Sequence, residues 1–360
     1  MDKRFCVLIP AYKPTDGLIE LVREIRRNTS CAIIVIDDGS GKEFRGIFES
    51  IKGINDCYII SYEVNGGKGH AMKKGFRLYQ ELYADDKDFS GVVTADADGQ
   101  HLLKDILNIG NLLSENTNEL ILGVRSFRKD VPLRSKFGNN TTIFVYRLAS
   151  GIKVSDTQTG LRGIPHRFVE DMISLDGERY EYEMTMLLEV KNLNMTIKEV
   201  PIETVYIDDN SGSHFSTIRD SYKIYKIIIK KTYAIKFMLA AILSSLLEYI
   251  IYAALISFTV ISATVAQIPS RTISAVFNFI LNKKVVFSDT YKTKSSYLWQ
   301  AVLYFALAVF NLFAIAIPLN DLFINIGVNE YISVLLANGI QFVINYFIQK
   351  YLIFRKVKKK

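Results

Sequence analysis

Cysteine is scarce in this sequence, with three residues among 360, and this scarcity excludes a disulfide framework. Cys6, Cys31 and Cys57 each open an apolar run, and their spacing matches no metal-binding pattern. An odd number of isolated cysteines favours reduced, structural thiols in a cytosolic domain. The apolar run at residues 5–9 is followed directly by Pro10 and is too short for a signal peptide, so we expect none.

The sequence also lacks the charge pattern of a nucleic-acid-binding protein. Its net charge is +7, but much of the excess lies beside apolar segments and not along one basic stripe. The aromatic residues lie in those segments and in predicted strands, which is not a single-strand-binding pattern. We therefore expect no nucleic-acid partner, and we expect the basic residues to face an anionic membrane surface.

Hydropathy divides the chain into two parts. Residues 1–215 carry charges throughout and are typical of a soluble domain, whereas the chain becomes strongly apolar from about Ala234. Between them, residues 217–233 alternate basic and apolar faces at helical spacing, which predicts an amphipathic helix at a membrane interface. An ordinary amphipathic connector is the alternative. The predicted organisation is a domain at 1–215, an interfacial helix at 216–233 and a membrane domain at 234–360.

The first part alternates short apolar runs with helical stretches, which predicts an α/β fold with a parallel or mostly parallel doubly wound sheet. The five runs read FCVLIPAY, CAIIVIDDGS, CYIISYEVNGGKG, GVVTADADGQ and ELILGVRS. Ligands of such sheets bind beyond the carboxyl ends of the strands. The polar residues that fall at those ends are Tyr12, Asp37, Asp38, Lys68, Asp96, Asp98 and Arg125.

Asp96 and Asp98 lie two positions apart at the end of a predicted buried strand, and like charges this close repel unless a cation lies between them. Together with Gln100 they offer hard oxygen ligands, which suit Mg²⁺ or Mn²⁺ bridging a diphosphate. A helix N-cap pair is the alternative. His101 is adjacent, and an isolated histidine is more often a structural hydrogen-bond partner.

Two glycine-containing turns lie at the same predicted edge. Asp37, Asp38 and Gly39 end a buried strand in a tight turn, where a carboxylate can accept hydrogen bonds from a base or a ribose. A turn-forming Asp-Gly pair is the alternative. Residues 65–69 form a glycine-rich loop with Lys68, which suits a phosphate or a ribose, although the loop lacks the spacing of a Walker motif.

The motifs IPAY, DDGS, GGKGHA and DADGQH, in this order and spacing, resemble glycosyltransferase family 2, with its GT-A-type nucleotide-diphospho-sugar-binding domain. The later segments GVRSF, VPLRSKFGN, DTQTGLRGI and RYEYEMTMLLE resemble its polyprenyl-phosphate hexose branch, which contains dolichyl-phosphate mannose synthases and bactoprenol glucosyltransferases. The resemblance covers residues 4–225. It departs from the family at Lys13-Pro14, where Asn-Glu is frequent, so a nucleotide contact from that glutamate is not carried over.

The resemblance implies a role for each matching residue. Asp96, Asp98 and Gln100 would hold the metal ion. Arg125 and Arg134 would bind the sugar-phosphate and the acceptor phosphate, for which a guanidinium fork is suited. The nucleoside and phosphate contacts would be Pro10, Ala11, Tyr12, Asp37, Asp38, Gly39, Lys68, Gly69 and Asp96. The sugar and acceptor side would be lined by Asp156, Gln158, Glu181 and Glu183, and helix-start charge is the alternative for Glu183. The catalytic set is Asp98, Arg125, Arg134, Asp156 and Gln158.

The resemblance also implies the reaction, an inverting transfer of a hexose from a UDP- or GDP-sugar to polyprenyl (undecaprenyl) phosphate. UDP-glucose is the first expectation, and GDP-mannose or another UDP-hexose stays open. A lipid monophosphate has a second pKa near ~6 and is largely dianionic at neutral pH, so it needs no general base. The site has to position two anions and stabilise the departing nucleoside diphosphate. We therefore expect arginines and a metal ion, not a catalytic Asp-His pair.

Four apolar segments of the last part are long enough to cross a bilayer, at about 235–261, 264–287, 297–318 and 331–354. Lysines and arginines precede the first segment, lie between the second and third, and follow the fourth, whereas the other two loops carry none. The positive-inside rule therefore predicts a multi-pass protein of the cell membrane, with both termini and the first domain on the cytoplasmic side.

The second and fourth segments resemble one another at an offset of 67 residues. The matched polar pairs are Arg271 with Asn338, Ser274 with Gln341, Asn278 with Asn345, and Asn282 with Gln349. Polar contacts between helices are one interpretation, and a lined path or head-group site within two hairpins is the other. Glu248 lies mid-way in the first segment, and an ionisable residue at that depth is a functional candidate, with Arg271 its expected partner.

This region resembles the GtrA-like membrane domain, which has four spans and an asparagine-rich pattern seen here at Asn278-Phe279, Asn282-Lys283 and Phe287. The resemblance covers residues 233–357, and the family is associated with moving polyprenyl-phosphate sugars across the membrane. We expect the domain to anchor the chain, and help in translocating the product is a further hypothesis. The oligomeric state is left open, a homo-oligomer included.

Two other functions compete with this interpretation. A processive polysaccharide synthase usually carries a Gln-x-x-Arg-Trp motif, but the only tryptophan here is Trp299, in a Leu-Trp-Gln context inside an apolar segment. A non-enzymatic carrier of lipid-linked sugar would not need the intact Asp-x-Asp-x-Gln motif and both Arg125 and Arg134. Metal-dependent hydrolysis of a nucleotide sugar distinguishes an enzyme from a carrier.

Overall fold

A computed structural model describes residues 4–125, 133–203, 217–260, 263–288 and 294–354. The chain forms two compact units, Met1–Lys231 and Thr232–Lys360. Each unit has its own hydrophobic core.

The first unit is built on one sheet, which contains seven strands among the described residues. The strands are β1 (Arg4–Ala11), β2 (Ala32–Asp38), β3 (Cys57–Tyr62), β4 (Phe89–Thr94), β5 (Glu119–Arg125), β6 (Arg162–Pro165) and β7 (Thr196–Ile202). Their order across the sheet is β3-β2-β1-β4-β6-β5-β7. Of these strands, β6 alone runs antiparallel to its neighbours, so the predicted α/β fold with a mostly parallel sheet is confirmed. Strands β6 and β7 lie outside the predicted set.

Helices flank the sheet because their apolar residues recur at helical spacing. In α1 (Gly17–Asn28), Leu18, Leu21, Val22 and Ile25 form one buried face. The other helices of this unit are α2 (Arg45–Ile51), α3 (Lys68–Tyr83), α4 (Leu103–Glu115), α5 (Leu133–Ser150), α6 (Val169–Ile173), α7 (Glu181–Glu189) and α8 (Thr217–Lys231). The predicted amphipathic helix is present as α8, and its place at a membrane interface stays a prediction.

The carboxyl ends of the first three strands lie at one edge because neighbouring strands are in register. Ala11 at the end of β1 pairs with Asp37 in β2, and Asp37 pairs with Ser61 in β3. The strand interiors before these positions are buried, as at residues 6–9 and 32–36. Polar residues that follow the strands therefore converge at one edge of the sheet, where a ligand can reach them.

The three cysteines are free thiols, as predicted. Cys6 lies within β1, Cys31 directly before β2 and Cys57 at the start of β3, towards the amino ends of the strands. Burial raises the pKa of all three thiols, which disfavours the reactive thiolate. Their contribution is therefore to packing.

The second unit is helical. Its helices are α9 (Tyr233–Phe258), α10 (Ala263–Leu281), α11 (Lys294–Phe310), α12 (Ile317–Asn325) and α13 (Glu330–Ile348). Turns of π-helix follow α10, α11 and α13, at Asn282–Val286, Asn311–Ala316 and Gln349–Ile353. Within the described ranges, α9 is the one helix long and apolar enough to cross a membrane, so the predicted bundle of four spans is not confirmed.

The predicted internal repeat has a structural counterpart in this unit. The π-helical turns that follow α10 and α13 lie at the repeat offset, and their first residues, Asn282 and Gln349, are 67 positions apart. These two matched amides meet, because Asn282 Nδ2 donates to Gln349 Oε1 at 3.1 Å. Phe287 and Phe354, which end the two turns, stack with ring centroids 5.0 Å apart. Positions that are equivalent in the repeat therefore contact each other.

Other contacts of the second unit occur twice at the same offset. The repeated pairs are Ser244–Asn278 and Asn311–Asn345, which are hydrogen-bonded, and Phe237–Tyr346 and Tyr304–Phe279, whose rings are in contact. The unit therefore has internal pseudo-two-fold symmetry, which relates the hairpin α9–α10 to the hairpin α11–α13. We call the polar side chains along this symmetry the polar seam: Ser244, Asn278, Asn282, Asn311, Asn345 and Gln349.

A double-mutant cycle tests the contact at the centre of the polar seam. We expect Asn282→Leu and Gln349→Leu to be coupled by about 0.6 kcal/mol, the typical size of a hydrogen bond between membrane helices. Chemical unfolding of the purified chain in detergent, followed by circular dichroism, measures the coupling. Strictly additive effects of the two substitutions would show that the two amides do not interact.

Candidate active site

Lys68 and two carboxylates form the centre of the site at the carboxyl edge of the sheet. Lys68 is the first residue of α3, and Asp96 follows the end of β4. The Lys68 Nζ lies 2.6 Å from Asp96 Oδ1 and 2.9 Å from Oε1 of Glu183, which is in the first turn of α7. The structure therefore brings together predicted site residues from three distant parts of the chain.

Opposite charges set the protonation of this cluster. Burial disfavours the charged form of Asp96, but Lys68 and His101 more than offset this effect and lower its pKa to about 2. Burial likewise acts against the charge on Lys68, and the carboxylates of Asp96 and Glu183 outweigh it and raise the pKa of the ammonium. For Asp98, burial and the Asp96 charge act together and raise the pKa. The Asp96 charge is the second cause of this raised pKa, after burial, which is the direction expected for two neighbouring carboxylates.

Asp96 is held from two further sides. His101 Nδ1 accepts a hydrogen bond from the Asp96 N–H at 3.1 Å, so His101 is a structural partner, as predicted. Gly160 packs on the carboxylate, because a Cβ added there would lie 2.5 Å from Asp96 Oδ2. Thr94 fixes the Gly160 loop, since its Oγ1 donates to Gly160 O at 2.7 Å. Gly160 was not among the predicted site residues, although its motif DTQTG was part of the family resemblance.

Arg125 and Asp156 form a bidentate ion pair. Arg125 ends β5, and its Nε and Nη2 lie 2.6 and 3.0 Å from the two oxygens of Asp156, which is fully buried. Asp156 Oδ1 also accepts from the Gln158 N–H at 2.9 Å, and Gln158 itself is exposed. Asp156 therefore orients Arg125. Arg134 lies in the first turn of α5, and its side chain is outside the described residues.

Asp38 holds the glycine-rich loop. Its carboxylate accepts four hydrogen bonds, from Tyr62 Oη at 2.7 Å, from Asn65 Nδ2 at 2.9 Å, and from the N–H groups of Gly66 and Gly67 at 2.8 Å each. Only 3% of the residue is exposed. The geometry accounts for Asp38 as a positioning residue for the loop, and its contact with a nucleotide stays a prediction.

The start of α7 and the residues just before it cover the same loop. A Cβ at Gly67 would lie 2.5 Å from Arg179 Cγ, and one at Gly69 would lie 2.5 Å from Tyr182 Cβ. Both positions therefore need glycine, because the two segments approach each other closely. The loop presents the Lys68 side chain to the acidic cluster, while part of its backbone is closed off by protein.

The remaining predicted nucleotide contacts lie at the ends of β1 and β2. Oδ1 of the half-buried Asp37 accepts from the Ser40 N–H at 2.9 Å. Ser40 Oγ in turn accepts from the Lys13 N–H at 2.9 Å, so the Lys13-Pro14 departure packs on the turn after β2. Of the other predicted contacts, Pro10, Tyr12 and Gly39 are half-buried, and Ala11 and Gly69 are buried.

A buried cation that was not predicted lies beneath the acidic residues of α7. Glu181 and Glu183 are both buried in the first turn of this helix. Arg162 in β6 is fully buried; its Nε donates to Thr159 O at 3.0 Å and its Nη1 to Glu183 O at 2.6 Å. Burial lowers the pKa of Arg162, and the charges of Glu183 and Asp156 act against this effect. Arg162 therefore ties the loop before β6 to α7 and adds positive charge under the site.

The candidate metal ligands fit a hard divalent cation by their chemistry. Among the described residues, no three side chains of His, Cys, Asp or Glu are grouped as a metal site, so the predicted set depends on two carboxylates, Asp96 and Asp98, and the amide of Gln100. Oxygen donors of this kind suit Mg²⁺ or Mn²⁺. The charge of Asp96 adds to burial in raising the pKa of Asp98, and a bound cation would act against both effects. Their role as ligands stays a prediction.

In the second unit, the predicted partners Glu248 and Arg271 form an ion pair, with Arg271 Nε 3.2 Å from Glu248 Oε1. The candidates Asn278, Asn282 and Asn345 all belong to the polar seam. The positions equivalent to Glu248 and Arg271 in the repeat are Ile315 and Asn338, so the charged pair occurs in the first hairpin without a counterpart in the second.

Comparison with known families assigns both parts of the chain. Residues 6–171 match Glycosyl transferase family 2, and residues 236–354 match the GtrA/DPMS transmembrane domain. The chain therefore contains a Glycosyl transferase family 2 domain followed by a GtrA/DPMS transmembrane domain, and the second domain indicates a membrane protein. The family, the enzyme class and the membrane domain predicted from the sequence are confirmed.

Three similar proteins each match between 62% and 64% of the chain. The chain is 27% identical over 235 residues to an uncharacterized protein of Methanocaldococcus jannaschii, a match to 63% of this chain and 92% of the relative. It is 29% identical over 249 residues to the UDP-N-acetylglucosamine–dolichyl-phosphate N-acetylglucosaminyltransferase of Methanococcus voltae, a match to 64% of this chain and 97% of the relative. It is 25% identical over 249 residues to the dolichyl-phosphate β-glucosyltransferase of Dictyostelium discoideum, covering 62% and 72%.

Among solved structures, residues 1–349 of S. aureus TarS in complex with UDP-GlcNAc align with a TM-score of 0.42 at 14% identity, covering 79% of this chain and 83% of that fragment. A similarity of this size carries no inference about the present chain.

The packing of Gly160 on Asp96 gives a sharp test of the site. We expect Gly160→Ala to displace the Asp96 carboxylate and to reduce glycosyl transfer about 100-fold or more, because small displacements of catalytic groups have effects of this size. Gly46→Ala is the matched control, since a Cβ at Gly46 meets nothing within 4 Å. Steady-state transfer rates and thermal melting of both variants make the comparison. Full activity of a folded Gly160→Ala variant would contradict the assignment of Asp96 to the active site.

Proposed function

We propose that the chain transfers a hexose from a nucleotide-diphospho-sugar to a polyprenyl phosphate, with Mg²⁺ or Mn²⁺ and with inversion at the anomeric carbon. The names of the M. voltae and D. discoideum relatives support the acceptor class, because both contain dolichyl phosphate. The sugars in these names differ, N-acetylglucosamine and glucose, so they do not decide the donor. UDP-glucose is the first donor to test, followed by UDP-N-acetylglucosamine and GDP-mannose.

The observation that carries this proposal is the cluster of acidic and basic side chains at the carboxyl edge of the sheet. Asp96, Asp98 and Gln100 would hold the metal ion, which when bound would offset the negative charge of the donor diphosphate. Arg125 is oriented by Asp156 and would present its guanidinium to a phosphate group. A site for two anionic substrates needs such a combination of cations.

The proposed reaction needs no proton transfer by the protein. A phosphate oxygen of the acceptor attacks the anomeric carbon while the bond from that carbon to the nucleoside diphosphate breaks, and the diphosphate leaves as an anion. The acceptor is already largely dianionic at neutral pH, because its second pKa is about 6. The contribution of Arg125 and Lys68 is to hold two anions close together and to stabilise the charge on the leaving group.

Transfer of radiolabel to lipid tests the proposal. The purified full chain in detergent is supplied with undecaprenyl phosphate, Mg²⁺ or Mn²⁺, and labelled UDP- and GDP-sugars in turn. We expect label from one donor to enter the lipid phase and Asp98→Ala to abolish the transfer, because a metal ligand is lost. Asp85→Ala removes an exposed carboxylate from the same unit and is the matched control. If the folded protein transfers label from no donor to the lipid, the proposal is contradicted and a carrier is favoured.

For the membrane part, we propose four spans within residues 234–360, with the catalytic domain at 1–215, the interfacial helix at 216–233 and both termini on the cytoplasmic side. The basic residues beside the apolar segments support this orientation. The membrane domain anchors the enzyme near its lipid acceptor and helps to translocate the lipid-linked sugar. The Glu248–Arg271 ion pair supports the second role, because ionisable residues inside membrane spans are costly and typically mark functional sites.

The translocation role can be tested apart from synthesis. In proteoliposomes, we expect Glu248→Gln and Arg271→Gln to keep synthesis of the lipid-linked sugar and to slow its appearance on the far leaflet, since each substitution breaks the ion pair. Oxidation of the product sugar by periodate, added outside the vesicles, measures that appearance. Delivery at the wild-type rate in both variants would contradict the translocation role and leave the synthase assignment in place.

A further inference from the structure

The Lys68 ammonium is held as a bound cation would be. Its Nζ contacts one oxygen of Asp96 at 2.6 Å and one oxygen of Glu183 at 2.9 Å, and the side chain is 16% exposed. Asp96 is also the first residue of the predicted metal set. An ammonium and a divalent cation would therefore compete for the same carboxylate.

The backbone around Lys68 is fixed, whereas its side chain can move. Gly67 and Gly69, on either side of it, pack so closely on Arg179 and Tyr182 that an added Cβ would come within 2.5 Å of each. The first turn of α3 is thus held in place by its neighbours. The four-carbon stem of lysine is flexible, so the Nζ can change partners without any movement of the backbone.

We propose that Lys68 is the resident cation of this site. Without nucleotide, its ammonium occupies a position beside Asp96. A divalent cation takes this position when a nucleotide diphosphate binds, and the ammonium then pairs with that diphosphate. The inference rests on the proposed function, because that function supplies both ligands. Glu183 is the second carboxylate that holds the ammonium in the nucleotide-free chain.

Charge compensation favours this exchange. A nucleotide diphosphate brings negative charge to an edge that already holds the carboxylates of Asp96, Asp98 and Glu183. A divalent cation at Asp96 and Asp98 would replace the ammonium there, and the released ammonium would face the diphosphate. The divalent cation and the nucleotide therefore promote each other's binding, and the cation alone binds weakly because Lys68 occupies its position.

Binding of Mn²⁺ to the full chain in detergent, followed by electron paramagnetic resonance of free Mn²⁺, tests the exchange. Without nucleotide, we expect Lys68→Met to bind Mn²⁺ about tenfold tighter than wild type, since the competing ammonium is gone. Lys73→Met is the control on the same helix, because Lys73 is paired with Glu178 at 2.7 Å and is also little exposed. Its Mn²⁺ affinity should match that of wild type.

The double variant Lys68→Met/Glu183→Gln separates competition from a general change in charge. It keeps the net charge of the wild type and leaves no unpaired carboxylate at Glu183, so it also guards against misfolding of the single variant. We expect it to bind Mn²⁺ about tenfold tighter than wild type without nucleotide, because Asp96 is again free. Mn²⁺ affinity equal to that of wild type in the folded double variant would overturn the exchange.

The result also distinguishes this inference from the proposed function. UDP-promoted Mn²⁺ binding that is the same in wild type and in both Lys68 variants would overturn the exchange and leave metal-dependent transfer standing. The absence of Mn²⁺ binding in every variant, even with UDP, would overturn the metal dependence itself and the exchange with it.

Discussion

Burial of like charges at one edge of the sheet is the constraint on which the candidate site depends. Asp96, Asp156 and Glu183 come from three separate parts of the chain and are held close to one another by buried cations. A charge left unpaired in such a place costs about 3–5 kcal/mol, so each carboxylate needs a partner. Lys68 serves two of them and Arg125 serves the third. The cations that make this cluster stable are also the groups suited to anionic substrates.

A related constraint applies to the second unit, because polar groups inside a lipid bilayer have no water to bind. Amides of the polar seam bond to one another. The repeat supplies the partners, because equivalent positions such as Asn282 and Gln349 meet across the internal symmetry. Glu248 and Arg271 break that symmetry, since the second hairpin has no charged equivalent. The proposed synthesis at the sheet edge and the proposed translocation by the second unit thus belong to separate parts of one chain.

The sequence predicted the fold more completely than the site. The first five strands were evident because each is an apolar run that is followed by polar residues. Strand β6 was missed because it has four residues and ends in Pro165, which is typical of a loop. Arg162 and Gly160 were not predicted as site residues either. The role of Arg162 depends on its contact with α7, and that of Gly160 on its contact with Asp96. The roles of Asp38 and Lys68 likewise depend on partners far along the chain, which motif spacing does not reveal.

The position of a bound metal ion in an experimental structure tests most directly whether Asp96 and Asp98 hold the metal ion and whether Lys68 gives way to it. Crystals of the full chain grown with UDP and Mn²⁺ would locate the ion by its anomalous scattering. We predict one peak in contact with Asp96 and Asp98, with the Lys68 Nζ moved from Asp96 to the diphosphate. A peak away from this edge of the sheet, or UDP bound there with Lys68 still on Asp96 and no metal ion, would contradict it.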